Sequence, residues 1–226
     1  MRVLAIDTAL EACAAAVFDT VSGAVLASES LAMARGHAEA LMPLIAQVMD
    51  AAALEFSGLD RVAVTVGPGS FTGLRVGIAA ARGIALAAGK PAVGLSTLAV
   101  LAAPHIAAGE AATVAAAIDA RHGHVYLQLF GTGGRTLVPP RLASIRDAVR
   151  TAMGAPAIIV GSGAAPMAAE WPAGETAPVL DPAPAPDIVW VARLGGAAEP
   201  GQALPKPLYL RRPDARPQDA ARLPRR

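Results

Sequence analysis

The sequence predicts an α/β protein of two similar halves, each opening on a three-strand meander and running on through alternating helices and strands. Three observations predict it. Short strand-like runs of aliphatic residues alternate with helical apolar stripes along most of the chain. The tripeptide Ala5-Ile6-Asp7 that ends the first run returns as Ala117-Ile118-Asp119 halfway along the chain. A short turn and a second strand-like run follow in both places, so a β-β-β-α-β-α order recurs, abbreviated the second time.

Taken in order, Arg2–Asp7 reads as a strand, and Ala12–Asp19 and residues 24–31 as two more, joined by the turn at Ser22-Gly23. The period then switches, and Leu41, Leu44, Ile45 and Val48 form one stripe of a helix over 37–50. Residues 59–66 read as a strand, and 72–88 as a helix that Gly89 stops. A short strand at 92–95 leads to Ser96, the expected N-cap of a third helix. The second half repeats this with strands at Thr113–Asp119, 124–130 and 135–138, a helix from Ser144 to about 153, and a strand at 157–161. A short helix near 166–170, a strand near 178–180 and a helix capped by Asp187 complete it, with Asp181-Pro182-Ala183-Pro184-Ala185-Pro186 as a stiff connector. The expected division is 1–108 and 109–212, then a basic tail, 213–226, expected to be disordered and dispensable for partner binding. Two duplicated α/β halves with a carboxylate in each first hairpin describe the actin/Hsp70-like (ASKHA) architecture, in which a nucleotide lies between the halves.

An apolar content of 54 % with 4 % aromatics describes a core of small and aliphatic side chains, and 226 residues suffice to bury it. The net charge of +1 gives no overall electrostatic footprint for nucleic acid. Seven basic residues between Lys206 and Arg226 face only Asp214 and Asp219, a run more often a solvated end than a binding site. Cys13 is the single cysteine, which excludes an intramolecular disulfide and reads as core packing. Asp7 and Glu11 interrupt the first apolar run, so a signal peptide is not expected. Residues 91–109 carry no charge on Asp, Glu, Lys or Arg, but Pro91, Gly94 and Pro104 suit a strand and helix better than a membrane span. A cytoplasmic location is the expectation.

Few residues suggest chemistry. Asp7-Thr8 ends a strand; the carboxylate either holds a hydrated Mg²⁺ or simply starts a turn. The stretch Gly67-Pro68-Gly69-Ser70-Phe71-Thr72-Gly73-Leu74-Arg75 joins strand to helix. Its glycines and the helix start favour an anion, with Gly67, Gly69 and Ser70 as phosphate-facing candidates, yet it matches neither a Walker A loop nor G-x-G-x-x-G. A tight strand-to-helix turn explains it equally well. His37 has Leu41, not His, four residues on, and Arg121-His122-Gly123-His124 reads as a hairpin turn, so no histidine metal site is expected. No nucleophile motif is present. The first helix shows apolar residues beyond one stripe, Met42 and Met49, and the second carries the small residues Gly73, Gly77, Ala80 and Ala81. A neighbour within the chain or a partner could cover them; the Met-rich face favours a partner.

Leu4-Ala5-Ile6-Asp7-Thr8, His37-Ala38-Glu39-Ala40-Leu41-Met42-Pro43, the loop from Gly67 to Gly77, Asp119-Ala120-Arg121-His122-Gly123-His124-Val125-Tyr126 and Pro207-Leu208-Tyr209-Leu210-Arg211 together resemble the TsaB (YeaZ) family, in family order over most of the chain. The resemblance implies a scaffolding and activating subunit for tRNA N6-threonylcarbamoyladenosine (t6A) formation. It would pair with TsaD, the catalytic subunit, through the first two helices, with His37, Leu41, Met42, Ile45, Met49, Gly73, Arg75, Gly77 and Ala81 as interface candidates. It would recruit the ATPase TsaE, form a homodimer when alone, and contact tRNA only indirectly. TsaD holds its metal with His-x-x-x-His; His37 matches the first position and Leu41 stands at the second, which implies no catalysis by this chain alone. In Gly161-Ser162-Gly163-Ala164 the second position is often Asp in the family, which weakens a nucleotide contact from the second half. ATP or ADP with Mg²⁺ is then expected only at a complex interface. The competing readings are a stand-alone small-molecule kinase of the same fold and a peptidase.

Overall fold

The computed structural model describes residues 1–109, 111–153 and 157–211. The tail expected at 213–226 lies outside them. Two five-stranded sheets form the frame. In the first, β1 (Arg2–Asp7) pairs antiparallel with β2 (Ala12–Asp19) and parallel with β4 (Arg61–Gly67). β3 (Ala24–Ala32) and β5 (Ala92–Ser96) complete the order β3-β2-β1-β4-β5. In the second, β6 (Thr113–Asp119) pairs antiparallel with β7 (His124–Gly131) and parallel with β9 (Ala157–Val160). β8 (Thr136–Ser144) and β10 (Val179–Asp181) close the order β8-β7-β6-β9-β10, the same sequence of senses as in the first sheet. β8 runs past its predicted end at 138 through Pro139 and Pro140. It is an edge strand, where a residue without N–H costs no ladder bond.

α1 (His37–Ala51) and α2 (Phe71–Ala88) cover one face of the first sheet around Leu41, Ile45, Leu74 and Ile78. α4 (Ile145–Ala152) and α5 (Ala164–Ala169) cover one face of the second. These helices of the second half are shorter, 8 and 6 residues against 15 and 18. The remaining two helices cross over. α3 (Thr97–Ala108) places Leu98, Leu101 and Ala102 against β6 and β7 residues Val114, Ala116, Ile118 and Phe130. α6 (Ile188–Ala197) places Ile188, Val191 and Ala192 on the other face of the first sheet, against Val3, Ala5, Ala63 and Val93. Asp187 caps α6, its Oδ1 accepting from Val189 N at 2.8 Å. Arg61 Nη1 donates to Gly195 O, Gly196 O and Ala198 O at its far end, at 2.8, 2.9 and 2.6 Å. α2 is long and apolar enough to span a membrane by length and composition, but its apolar stripe packs on the first sheet.

After α6 the chain doubles back along the first sheet as a strap. Gly94 N donates to Ala203 O at 2.8 Å on the β5 edge, Leu208 N donates to Val66 O at 2.7 Å, and Arg211 Nη1 reaches Ala120 O of the second half at 3.1 Å.

Candidate functional site

The turn between β1 and β2 and the loop between β4 and α2 are built as one unit. Thr8 Oγ1 donates to Gly73 O at 2.7 Å, and Ser70 N donates to Ala9 O at 2.7 Å. A Cβ on Gly69 would overlap Ala9 O, one on Gly73 would overlap Thr8 O, and one on Gly77 would overlap Thr8 Oγ1. Gly67 has φ +111°, and a Cβ there would lie 2.9 Å from Leu208 O of the strap. The glycines thus allow the chain's own backbone to approach.

This corrects the phosphate-facing expectation for Asp7, Thr8 and Gly67. Asp7 is 0 % exposed and Thr8 is buried, while the open side of Gly67 is filled by Leu208. Asp7 Oδ1 accepts from Thr65 Oγ1 and, at 3.1 Å, from Ala9 N; Oδ2 is buried without a partner. Burial pushes the Asp7 carboxyl up to about 6, against the lowering effects of Thr65, the Ala9 N–H and the His37 charge. Burial, and then the nearby Asp7 charge, push the Cys13 thiol up to about 11, which fits an inert core residue.

Of Asp7, Thr8, Gly67, Gly69 and Ser70, the last two line the cleft between the sheets, a cavity of about 620 Å³ shared with Glu11, Asp119, Arg121, Tyr126 and Ser162. Asp119 Oδ1 accepts from Arg121 N at 2.8 Å, its carboxylate pairs with the Arg121 guanidinium at 3.4 Å, and its own N–H donates to Ser162 Oγ at 3.1 Å. Asp7 and Asp119 end equivalent strands, yet only Asp119 meets the cleft. Among the described residues no group of three His, Cys, Asp or Glu could hold a metal ion. Glu11 and Tyr126 were not singled out from the sequence for the cleft, and Ser162 was read there only as a departure that weakens a nucleotide contact; the placement of the two sheets brings all three to the cavity.

The surface candidates divide. Leu41, Ile45, Met49 and Ala81 lie in the first core, Gly73 and Gly77 face the β1–β2 turn, and His37 is buried with Nε2 3.2 Å from Leu10 O. Met42 is 49 % exposed and Arg75 is exposed. The expectation that Met49 and Gly77 belong to an open face is therefore overturned: the sheet and the turn cover them. What remains open is an apolar groove of about 470 Å³ that includes Met42, Phe56, Ala80, Gly83, Ile84 and Ala87.

A solved structure, YeaZ from Pseudomonas aeruginosa, superposes on this fold with a TM-score of 0.78 and 30 % identity, covering 92 % of this chain and 99 % of that one. The chain belongs to the TsaB (YeaZ) family. Escherichia coli TsaB, named a tRNA threonylcarbamoyladenosine biosynthesis protein, is 41 % identical over 126 residues, a match that spans 56 % of this chain and 53 % of that protein. An uncharacterized Mycobacterium tuberculosis protein is 36 % identical over 215 residues, 95 % of this chain and 94 % of its own length. The wider family described as TsaD, tRNA N6-adenosine threonylcarbamoyltransferase, matches residues 25–171. An inorganic polyphosphate/ATP-glucomannokinase from Arthrobacter, at 13 % identity and a TM-score of 0.50, shares the fold alone. The fold that TsaB family members have in common with it is actin/Hsp70-like.

Proposed function

We propose that this chain is the non-catalytic scaffolding and activating subunit for t6A formation on tRNA, paired with a TsaD-like catalytic subunit. The observation that carries the reading is the likeness to YeaZ over nearly the full length of both chains, joined to Leu41, which is buried in the core where a catalytic relative needs a second histidine. The partner face belongs to the exposed groove of α1 and α2 around Met42, Phe56, Ala80 and Ile84. The same groove would serve self-pairing when the partner is absent. Recruitment of a TsaE-like ATPase belongs to the same proposal. Ser70, Asp119 and Ser162 are what the cleft offers to ATP or ADP with Mg²⁺ at a complex interface. Two lobes related by duplication and dividing near residue 108 complete the picture, supported by the matching strand orders.

Reconstitution tests it. The purified chain with tRNA and threonylcarbamoyl donor is expected to yield no modified tRNA, and to raise the yield of the catalytic subunit when both are present. Modified tRNA from this chain alone, or no effect on the catalytic subunit, would refute the reading. The kinase alternative finds little support: Asp7 is sealed behind Thr65 and Ala9, away from the cleft.

A further inference from the structure

Within five residues, the run Pro207-Leu208-Tyr209-Leu210-Arg211 touches both walls of the cleft. Leu208 N donates to Val66 O at 2.7 Å, and Leu208 O fills the open side of Gly67 at the end of β4. Tyr209 lies over the first turn of α2. Its ring centroid is 5.4 Å from that of Phe71, and its Oη accepts from Arg75 Nε at 3.2 Å. The Arg75 guanidinium carbon sits 3.7 Å from the Phe71 centroid, so the three side chains form one stack. Arg211 then crosses to the second half, where Nη1 donates to Ala120 O at 3.1 Å. Gly69 and Ser70, between Gly67 and Phe71, line the cleft from one side; Asp119, Ala120 and Arg121 line it from the other.

The attachments differ in how readily they part. The Leu208 bond joins backbone to backbone beside the buried Val66. Phe71 and Tyr209 remain 45 % and 43 % exposed, and Arg211 reaches a hairpin whose tip, Arg121 to Gly123, is exposed. Local opening starts where contacts are exposed and few are apolar, so the outer end of the strap yields before the inner seam does. Covering the β5 edge and Gly67 needs only Gly94 N on Ala203 O and Leu208 N on Val66 O, and no ring. Yet in a chain with four Phe, two Tyr and two Trp, two rings are placed in this outer latch. We propose that Tyr209 and Arg211 clamp the two walls of the cleft to one another, and that release of the clamp widens the cleft while Leu208 keeps the strap docked on the first half. Ser70, Asp119 and Ser162 line the cavity, so its width decides which molecules reach them. The inference goes beyond the scaffolding reading and stands or falls on this chain alone.

Pulsed spin-label distance measurement on the full chain tests the proposal. Labels go on Gln47→Cys in the first half and Ala165→Cys in the second, both exposed positions, in a Cys13→Ala background. Arg211→Met and Tyr209→Ala should each move the distance distribution outward by more than about 2 Å. Arg211→Lys keeps a donor for Ala120 O, and Tyr209→Phe keeps the ring on Phe71; both should stay closer to the parent. Lys206→Gln removes a positive charge from the same strap without touching the clamp and should leave the distribution unchanged. Hydrogen exchange on Arg211→Met should rise at the 119–124 hairpin but not at Leu208 N. Thermal denaturation checks that each variant folds, and either clamp variant decides the matter if the other does not. An unchanged distribution in the folded clamp variants overturns the proposal. So does an equal shift in Lys206→Gln, which would make the effect one of charge alone. Faster exchange throughout the first sheet also overturns it, because the strap would then be cover for that sheet and not a clamp between walls.

Discussion

Thr8 Oγ1 occupies the space that a side chain on Gly77 would need. The hydroxyl is fixed there by its bond to Gly73 O, so α2 approaches the β1–β2 turn as closely as bare backbone permits. Gly77→Ala should therefore destabilise the protein by about 1–3 kcal/mol through overpacking. Thr8→Ala alone loses a buried hydrogen bond of about 1 kcal/mol but vacates the contested volume, since Val64 Cγ2 at 3.5 Å is ordinary contact. The double variant should be more stable than the two single losses added together. Urea denaturation of all four proteins measures this, and strict additivity would mean that the overlap is relieved elsewhere.

Gly83 is the contrasting position. Nothing lies within 4 Å of a Cβ placed there, and it lines the apolar groove of α1 and α2. Gly83→Phe should leave thermal stability equal or slightly raised, because glycine is a poor helix former. Affinity for the TsaD-like partner should fall more than tenfold, about 1.4 kcal/mol, in calorimetric titration. Undiminished affinity would move the interface off this groove.

Asp7 gives the protein a pH signature. Its folded carboxyl titrates near 6 against an ordinary 3.8, so between those values the folded chain holds a proton that the unfolded chain has released. Stability should fall as pH rises from about 4 to about 6, and above that range the buried charge costs about 3 kcal/mol relative to the neutral acid. Asp7→Asn keeps an acceptor for Thr65 and Ala9 and should lose this slope. Urea midpoints between about pH 4 and pH 8 are the measurement; parallel curves for both proteins would place the carboxyl in a less costly environment.

Arg61 ties the start of β4 to the end of α6 through three carbonyls. Arg61→Met retains bulk but leaves those acceptors without a charged donor at the negative end of the helix dipole. A loss of about 2–3 kcal/mol is expected in thermal denaturation, with Arg61→Lys recovering part of it. A neutral Arg61→Met would mean that water replaces the guanidinium.

Local order was legible in the sequence where period or punctuation is strong. The switch at His37, the stop at Gly89, and the caps Ser144 and Asp187 fall where the structure has them. β8 was cut short at its prolines, whose meaning depends on lying at a sheet edge. Met49 was misassigned to an open face, although it sits eight residues after Leu41 and so returns to the same stripe; Met42 is the one that does not. The stripe Gly73, Gly77, Ala81 announces close approach without saying to what, and here the answer is Thr8 and its neighbours. The equivalence of Asp7 and Asp119 could be read from a repeated tripeptide, but not which one would be sealed: Thr65 Oγ1 and Ala9 N enclose the first, while Arg121 and the cavity flank the second. Tyr209 and Phe71 are far apart in sequence and meet only because the strap doubles back.

The crossing of α6 onto the first sheet also has a consequence in time. When the ribosome has made β1 to β5, Val3, Ala5, Ala63 and Val93 have no cover, because Ile188, Val191 and Ala192 do not yet exist. The strap that seals Gly94 and Gly67 is made later still. The amino-terminal sheet therefore waits, apolar face open, until nearly the whole chain has left the exit tunnel, and during that interval it is a natural client for holding chaperones.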